Sequence, residues 1–195
     1  MTVQITDNGG GTASGWKIDK NNRGHTQSVN VDENLNATLN GDSYNINTGL
    51  ISITGDATLI YIKNNEDTDL VIEALALGSF EGITHSDDPY ITLVRNPTAG
   101  DLIGDGTAVS MNQNRNFGSK KTLTADAYKG KVGGTLTGGD DVAILQATPG
   151  GRSFYTINFV LPRGGSMGVK LTANRSSGTA NWYAAAVCYL KDTTI

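Results

Sequence analysis

Two short clusters of acidic residues are the first candidates for chemistry in this chain. His85 begins one of them, a His-Ser-Asp-Asp run at 85–88, and an imidazole beside two carboxylates is a donor set for a divalent cation. The other is the Gly-Gly-Asp-Asp run at 138–141, which could form a calcium-binding corner. Neighbouring residues on one exposed loop rarely converge on one ion. A solvated loop at 85–88 and a hairpin end at 138–141 are therefore the favoured interpretations.

Catalytic machinery has few residues to draw on. The sequence contains no P-loop, dinucleotide-binding fingerprint, nucleophile elbow or His-Glu-x-x-His pair. His25 and His85 are its only histidines, and Cys188 lies in an apolar run that favours a small buried side chain over a nucleophile. A carboxylate pair for glycoside hydrolysis is recognised by its spacing in three dimensions, which the sequence does not give. A glycan-degrading enzyme therefore remains one of the alternatives. We expect a protein that is not an enzyme and uses no cofactor and no metal.

The elements that carry these residues are predicted to be β-strands. Glycine supplies 25 of 195 residues, roughly twice its usual share, and Glu, Lys and Ala are too dispersed to form helical stripes. A chain of this length fits a single all-β domain that completes its core without disulfides. There is one cysteine, no signal-peptide pattern and no run of about 20 apolar residues. We therefore expect a soluble protein made in a reducing cytoplasm.

Runs rich in β-branched and aromatic residues recur between turn signals from residue 26 onward. No segment has a convincing helical period, and strands of this length without helical crossovers favour an antiparallel sandwich. The predicted fold class is all-β, a single antiparallel β-sandwich of the jelly-roll type at 25–195, preceded by a flexible N-terminal arm at 1–24. The predicted strands are residues 26–31, 43–47, 50–54, 58–64, 70–78, 90–96, 122–128, 142–147, 154–161, 167–172 and 182–190.

Residues 58–80 hold the two most apolar runs of the sequence, separated by a polar turn at 64–69. Apolar residues at consecutive positions indicate strands that are covered on both faces, so we interpret this stretch as the central hairpin of the sandwich. The last predicted strand, 182–190, alternates small and large residues and is expected in the middle of a sheet. The stretch 98–121 has few apolar residues and is predicted to be a functional loop or a bent edge region.

The arm contains a glycine-rich segment at 9–15, whose backbone entropy argues against structure of its own. Trp16 and Ile18 follow this segment and could anchor the arm when it orders against a neighbouring molecule. The alternative is a frayed chain end, which would have no part in binding.

The net charge of −4 is unevenly distributed along the sequence. Residues 32–101 contain 12 acidic and 2 basic side chains, whereas residues 115–131 contain 5 basic and 1 acidic. This pattern is not the basic stripe of a nucleic-acid-binding protein. It could make one copy complementary to the next or to another protein, and the alternative is a solvated surface on which the charges scatter after folding. The basic residues are Arg115, Lys120, Lys121, Lys129 and Lys131.

One block of the sequence, Tyr-Asn-Ile-Asn-Thr-Gly-Leu-Ile-Ser-Ile-Thr-Gly at 44–55, is followed closely by Leu-Ile-Tyr-Ile-Lys-Asn at 59–64. Together with further blocks, they cover most of 44–190 and resemble the head decoration or cement proteins, a family of structural proteins in tailed-bacteriophage virions. The arm and the 85–88 loop are not covered by the resemblance. The further blocks are 95–100, 114–119, 123–130, 136–139, 161–170 and 187–190.

The resemblance implies a jelly-roll or related β-sandwich that binds the outer surface of an assembled phage head, with the major capsid protein as its partner. It also implies a homotrimer on the exterior of the virion, synthesised in the host cytoplasm. The composition gives no sign of a nucleic-acid or membrane partner. On composition, the expected contacts to the capsid or between copies are Trp16, Ile18, Arg115, Lys120, Lys121, Lys129 and Lys131.

A second interpretation, from the recognition class, is a head-fibre or tail domain that binds host surface glycans. It needs exposed aromatic side chains on loops, and the candidate loops at 85–90 and 98–117 offer only Tyr90 and Phe117. Glycan binding by the isolated protein would favour this interpretation. Tight binding to undecorated heads, without glycan binding, would remove it.

Overall fold

The computed structural model describes residues 17–18, 24–25, 32–80, 89–100, 107–108, 113–130, 136–147, 150–174 and 179–191. The strand predicted at 26–31 and the candidate cation loop at 85–88 lie outside these residues. Trp16 and Lys131 also lie outside them, and Ile18 is described by its backbone alone.

Strands dominate the described chain, which confirms the predicted all-β class. The ten predicted strands that fall on described residues all occur, with ends within three residues of those predicted. The elements are β1 (Lys17–Ile18), β2 (Gly24–His25), α1 (Glu33–Asn40), β3 (Ser43–Asn47), β4 (Ile51–Ile53), β5 (Ala57–Asn64), β6 (Leu70–Ser79), β7 (Tyr90–Arg95), β8 (Ala99–Gly100), β9 (Thr107–Ala108), β10 (Ala125–Lys129), β11 (Leu136–Thr137), β12 (Asp140–Gln146), β13 (Arg152–Leu161), β14 (Ser166–Thr172) and β15 (Ala180–Leu190).

The strands form two main antiparallel sheets. The six-stranded sheet has the order β12-β7-β14-β5-β10-β9, and the five-stranded sheet has the order β13-β6-β15-β3, with β4 also paired to β15. Buried side chains from both sheets form one core, which includes Ile60 of β5, Leu75 of β6 and Trp182 of β15. The predicted antiparallel sandwich is therefore confirmed.

The pairing between early and late strands is nested. β7 pairs β12, β6 pairs β13, β5 pairs β14 and β4 pairs β15. Successive pairs alternate between the six-stranded and the five-stranded sheet. The strands β4 to β7 thus pair in reverse order with the strands β12 to β15. The short strands β8 to β11 lie in the connection between β7 and β12.

The hairpin predicted at 58–80 is wrong, because its two strands lie in different sheets. β5 lies between β14 and β10, and β6 lies between β13 and β15, so each is interior to its own sheet, as the consecutive apolar residues indicate. The turn between them is a corner that crosses the sandwich. Asn64 holds this corner: it is fully buried, and its amide donates to the main-chain oxygens of Thr68 and Leu161, each at 2.9 Å.

The central position predicted for the last strand is confirmed, because β15 lies between β6 and β3. Every second side chain of β15 points into the core. Ala184, Ala186 and Cys188 are fully buried there together with the large ring of Trp182. Small side chains at three of these four positions leave room for side chains of the opposite sheet.

A short helix, α1, contradicts the expectation that no segment is helical. Asp32 is its N-cap, and the Asp32 carboxylate accepts hydrogen bonds from the N–H groups of Asn34 and Leu35 at 3.0 and 3.3 Å. Gly41 ends the helix with a φ of 78°. Ala37 is the one buried residue of α1, and its two leucines are exposed, so the helix buries no apolar stripe against the sandwich.

Candidate interaction surface

The 113–121 loop lies along the edge of β3. A single antiparallel bridge joins Tyr44 and Asn114, and the main-chain N–H of Arg115 donates to the oxygen of Ser43 at 2.8 Å. This loop thereby covers part of the free edge of the five-stranded sheet. Of the two alternatives predicted for 98–121, a functional loop or an edge region, its last part takes the edge position.

Two asparagine side chains tie the 113–121 loop to the end of α1. The amide of Asn114 donates to the oxygen of Gly41 at 2.7 Å, and the amide of Asn116 donates to the oxygen of Leu39 at 3.0 Å. The oxygens of both amides point back into the loop, where that of Asn116 accepts from the N–H of Gly118 at 3.1 Å. The loop is therefore fixed from within and from the helix side.

The side chain of Arg115, within this loop, is half-buried and bonds to other residues of the same molecule. Its Nη1 donates to Asn34 Oδ1 at 2.7 Å and to Ser43 Oγ at 3.0 Å, and it lies 3.9 Å from a carboxylate oxygen of Glu73. One guanidinium thus joins α1, β3 and β6. Its position assigns Arg115 a structural role in holding the loop, beside any role in binding.

The other basic residues of the predicted contact set divide into two groups. Lys121 bonds to the carboxylate of Asp42 at 2.8 Å, and Lys120 beside it is exposed. Lys129 is half-buried on β10, in the six-stranded sheet. The 113–121 loop therefore brings together Arg115, Lys120 and Lys121 but not Lys129. Because Lys121 pairs with Asp42 of the same molecule, part of the acidic and basic charge that could bind a second molecule is already paired within one.

Three exposed apolar side chains lie on α1 and on the loop that is bonded to its C-terminal end. Phe117, in the loop, is 99 % exposed, and Leu35 and Leu39 of α1 are 53 % and 64 % exposed. The two leucines are four residues apart and so share one face of the helix. We call Leu35, Leu39, Phe117 and Lys120 the α1–loop surface. The sequence signal for its leucines was an i, i+4 pair between an Asp N-cap and a Gly C-cap.

The Gly-Gly-Asp-Asp run at 138–141 does not close a hairpin, because β11 and β12 on either side of it pair with β8 and β7, and both of its carboxylates take part in ion pairs. Asp140 pairs with Arg95 at 2.5 Å, and Asp141 pairs with Lys170 at 3.0 Å. The glycines at 138–139, with φ of 69° and 78°, join β11 to β12 as a kink in a ribbon that runs against β8 and β7. Among the residues that the structure describes, no three His, Cys, Asp or Glu side chains are grouped to hold a metal ion.

Cys188 is a fully buried thiol, as predicted for a small core side chain. Its sulfur lies 3.6 Å from the main-chain oxygen of Tyr44. Burial raises the pKa of the Cys188 thiol from 9.0 to about 12, and the positive charge of Arg115 opposes this shift only in part. A thiol in this state is a poor nucleophile at neutral pH.

The helix α1 has eight residues, and no helix in the described part of the chain has the length and apolar character needed to cross a membrane.

Comparison of the chain with protein-family models, with curated proteins and with solved structures found no match.

Proposed function

We propose that this protein is a structural protein of a phage virion that binds the outer surface of the head and stabilises it, with the major capsid protein as its partner. The observation that carries the proposal is the side chain of Phe117, which is 99 % exposed on a loop that is otherwise firmly held. The sequence blocks that resemble head decoration proteins give this surface its expected partner.

A fixed loop that presents an apolar ring is suited to binding. Burying one phenylalanine contributes about 1.5–3 kcal/mol of favourable free energy. Flexible loops lose part of such a gain to the entropy of ordering. Here Asn114, Asn116 and Arg115 already hold the loop in the unbound molecule. The ring of Phe117 can therefore act as an anchor on a preorganised loop, and the exposed Leu35 and Leu39 of the adjoining helix can add to the contact.

Lys120 is exposed three residues after Phe117 in the same loop and adds a positive charge to this surface. A charge at a rim speeds association with an acidic partner more than it strengthens the final complex. Head binding through the α1–loop surface should accordingly slow as the salt concentration rises.

Stabilisation of the head follows from mass action. A protein that binds the assembled lattice and not free subunits lowers the free energy of the closed shell by RT ln(1 + L/Kd) for each site, where L is its free concentration. In a homotrimer, three copies of the α1–loop surface would engage neighbouring capsid subunits together, which multiplies weak single contacts.

The homotrimer is supported by two edge strands. β12 and β13 end the two sheets, and they expose Val142, Ile144, Phe154 and Val160, each between 43 and 71 %. An apolar groove of about 230 Å³ lies between them. Exposed edge strands pair indiscriminately unless something covers them, and a closed ring of identical copies would cover both.

The jelly-roll form of the sandwich belongs to the same proposal. The nested pairs β4–β15, β5–β14, β6–β13 and β7–β12 support it, because a jelly roll is an eight-stranded double ribbon folded into two sheets.

The test adds purified protein to heads that lack it and images where it binds. Wild-type protein is expected to decorate the outer surface at defined lattice positions. Phe117→Ala should need at least about tenfold more protein for half occupancy, which corresponds to about 1.4 kcal/mol. Phe80→Ala, which removes another exposed phenylalanine (68 %), is the matched control and should coat like wild type. Failure of the wild-type protein to decorate heads would overturn the proposed function, and equal coating by Phe117→Ala and wild type would remove Phe117 from the contact.

The arm is tested in the same assay. A variant that begins after Arg23 lacks Trp16 and Ile18, and if the arm anchors the protein, its occupancy should fall. Undiminished occupancy of this variant would remove the arm from the contact, while leaving the test of Phe117 unaffected.

A further inference from the structure

A cleft of about 620 Å³ opens at one end of the five-stranded sheet, away from the residues of the α1–loop surface. It is formed by the β3–β4 connection, the end of β6, the start of β13 and the outer face of β15. Its volume falls in the usual range for small-molecule sites. The side chains that line it are Asn47, Leu50, Ser79, Phe80, Arg152 and Tyr183.

The floor of the cleft depends on Gly78. This glycine is the cross-strand neighbour of both Arg152 and Tyr183. A β-carbon at Gly78 would lie 2.7 Å from Cε1 of the Tyr183 ring and 2.7 Å from the main-chain oxygen of Gly151. The absence of a side chain therefore lets the Tyr183 ring lie over the β6 backbone, where it forms a flat floor.

Phe80 forms one wall. Its ring centroid lies 5.7 Å from that of Tyr183, at an interplanar angle of 45°. Contact with Tyr183 orients the Phe80 ring, yet Phe80 remains 68 % exposed, and Leu50 across the cleft is 57 % exposed. The pair offers two aromatic faces at an angle to each other, with negative charge density on each face.

Polar groups surround the aromatic pair, and two of them accept hydrogen bonds from the main chain. Asn47 Oδ1 accepts from the N–H of Gly49 at 2.9 Å, which leaves the amide nitrogen as a donor for a ligand. Ser79 Oγ accepts from the N–H of Gly150 at 2.7 Å and keeps its own proton to donate. Arg152, at the start of β13, adds a fork of further donors.

We propose that this cleft is a carbohydrate-binding site. A pyranose ring has one face of C–H bonds that carry small positive charges, and this face stacks on aromatic rings. Its edge carries hydroxyl groups, which accept from amide, hydroxyl and guanidinium donors. Phe80 and Tyr183 supply the first kind of contact, and Asn47, Ser79 and Arg152 supply the second. The inference does not depend on head binding, because it uses none of the α1–loop residues.

The experiment titrates ¹⁵N-labelled full-length protein with neutral, N-acetylated and acidic oligosaccharides, namely maltohexaose, chitohexaose and hexagalacturonate, each to millimolar concentration. At least one of them should shift the amide signals of Gly49, Gly78, Gly150 and Gly151. Phe80→Ala should weaken that binding at least about tenfold, and Arg152→Ala should also weaken it, whereas Phe117→Ala should bind like wild type.

Phe80 is largely exposed, so its replacement should leave the melting temperature unchanged, which separates loss of binding from loss of folding. The inference is overturned if none of the three sugars shifts these glycine signals, or if binding survives Phe80→Ala. Because Phe80→Ala and Phe117→Ala exchange roles between the two assays, failure of one proposal is distinguishable from failure of the other.

Discussion

The side-chain amide of Asn64 donates a hydrogen bond to the main-chain oxygen of Leu161 at 2.9 Å, and so joins a strand of one sheet to an edge strand of the other. The same amide donates to Thr68, and its oxygen accepts from the N–H of Glu66 at 2.9 Å. Every polar atom of this fully buried side chain is thus used to shape the corner between β5 and β6.

Asn64→Ala should lower the free energy of unfolding by about 2–4 kcal/mol, because it leaves buried main-chain groups without partners. Urea denaturation at neutral pH measures this change. Asn65→Ala is the control, since Asn65 bonds to Thr124 through its main-chain N–H, which the substitution preserves. Similar stabilities of the two variants would show that the corner does not depend on the Asn64 amide.

The core around β15 should tolerate little added volume. Ala186 is fully buried, whereas Ala185 next to it points to the other face of the sheet and is only partly buried. Ala186→Leu should destabilise the protein by about 1–3 kcal/mol through overpacking. Ala185→Leu should change the stability by less than about 0.5 kcal/mol. Thermal unfolding of both variants, compared with wild type, measures the contrast, and equal melting temperatures would contradict it.

Alkaline pH should destabilise the fold. Burial raises the pKa of the Cys188 thiol from 9.0 to about 12, and burial, with the charge of Asp42, raises that of the Tyr44 hydroxyl from 10.0 to about 12. Both groups hold their protons more tightly when folded. Their contribution to stability is therefore complete below the unfolded pKa and is lost as the pH rises towards 12.

Between its pKa in the unfolded chain and its raised pKa in the folded protein, each of these groups should lower the free energy of unfolding by about 1.4 kcal/mol per pH unit. Urea titrations between pH 9 and 12 measure the slope. The Cys188→Ala variant should lose stability less steeply than wild type between pH 9 and 10, where the thiol titrates before the tyrosine. Parallel slopes for the two proteins would show that the thiol is not protected by folding.

The exposed side chains of the edge strand β12 give a test of the proposed homotrimer. Ile144→Lys places a charge at a side chain that is 71 % exposed on β12, and it should convert the proposed trimer to monomer in sedimentation experiments. Leu39→Lys, at a position 64 % exposed on α1, should sediment like wild type. A trimer that survives Ile144→Lys would place the contact between copies elsewhere.

Replacing the basic side chains of Arg115 and Lys121 by alanine should lower the free energy of unfolding by different amounts. Arg115→Ala removes bonds to Asn34 and Ser43 in a half-buried site and should destabilise the protein by about 1–3 kcal/mol. Lys121→Ala removes a largely exposed ion pair with Asp42, which is worth about 0.2–1 kcal/mol. Denaturation midpoints of the two variants make the comparison. If Lys121→Ala had the larger effect, Arg115 would not be the residue that holds the loop.

The positions of the strands were predictable because each depends on its own residues: alternating or continuous apolar runs bounded by turn signals. Strand neighbours were not. A short polar turn can close a hairpin or cross between sheets, and the choice at 64–69 is made by contacts of Asn64 with Leu161, 97 positions further along the chain. The helix α1 could not be predicted from an apolar stripe, because it has only eight residues and packs on the sandwich through Ala37 alone.

The candidate surfaces were predictable only in part. The basic residues at 115–121 indicated a contact region, but the exposure of Phe117 depends on bonds from Asn114 to Gly41, 73 positions earlier. The cleft combines Asn47, Gly78, Arg152 and Tyr183, which no local pattern connects. Both sites arise from long-range pairing, which composition and spacing do not record.

The place of β15 between β6 and β3 also sets the order in which the molecule can fold during synthesis. Both neighbours of β15 leave the ribosome more than 100 residues before it does. Until β15 emerges, the centre of the five-stranded sheet is an open gap with unpaired strand edges on each side. Folding dominated by such distant pairings is slow, on the order of milliseconds to seconds. The nascent chain should therefore stay dependent on chaperones until its final strand is made.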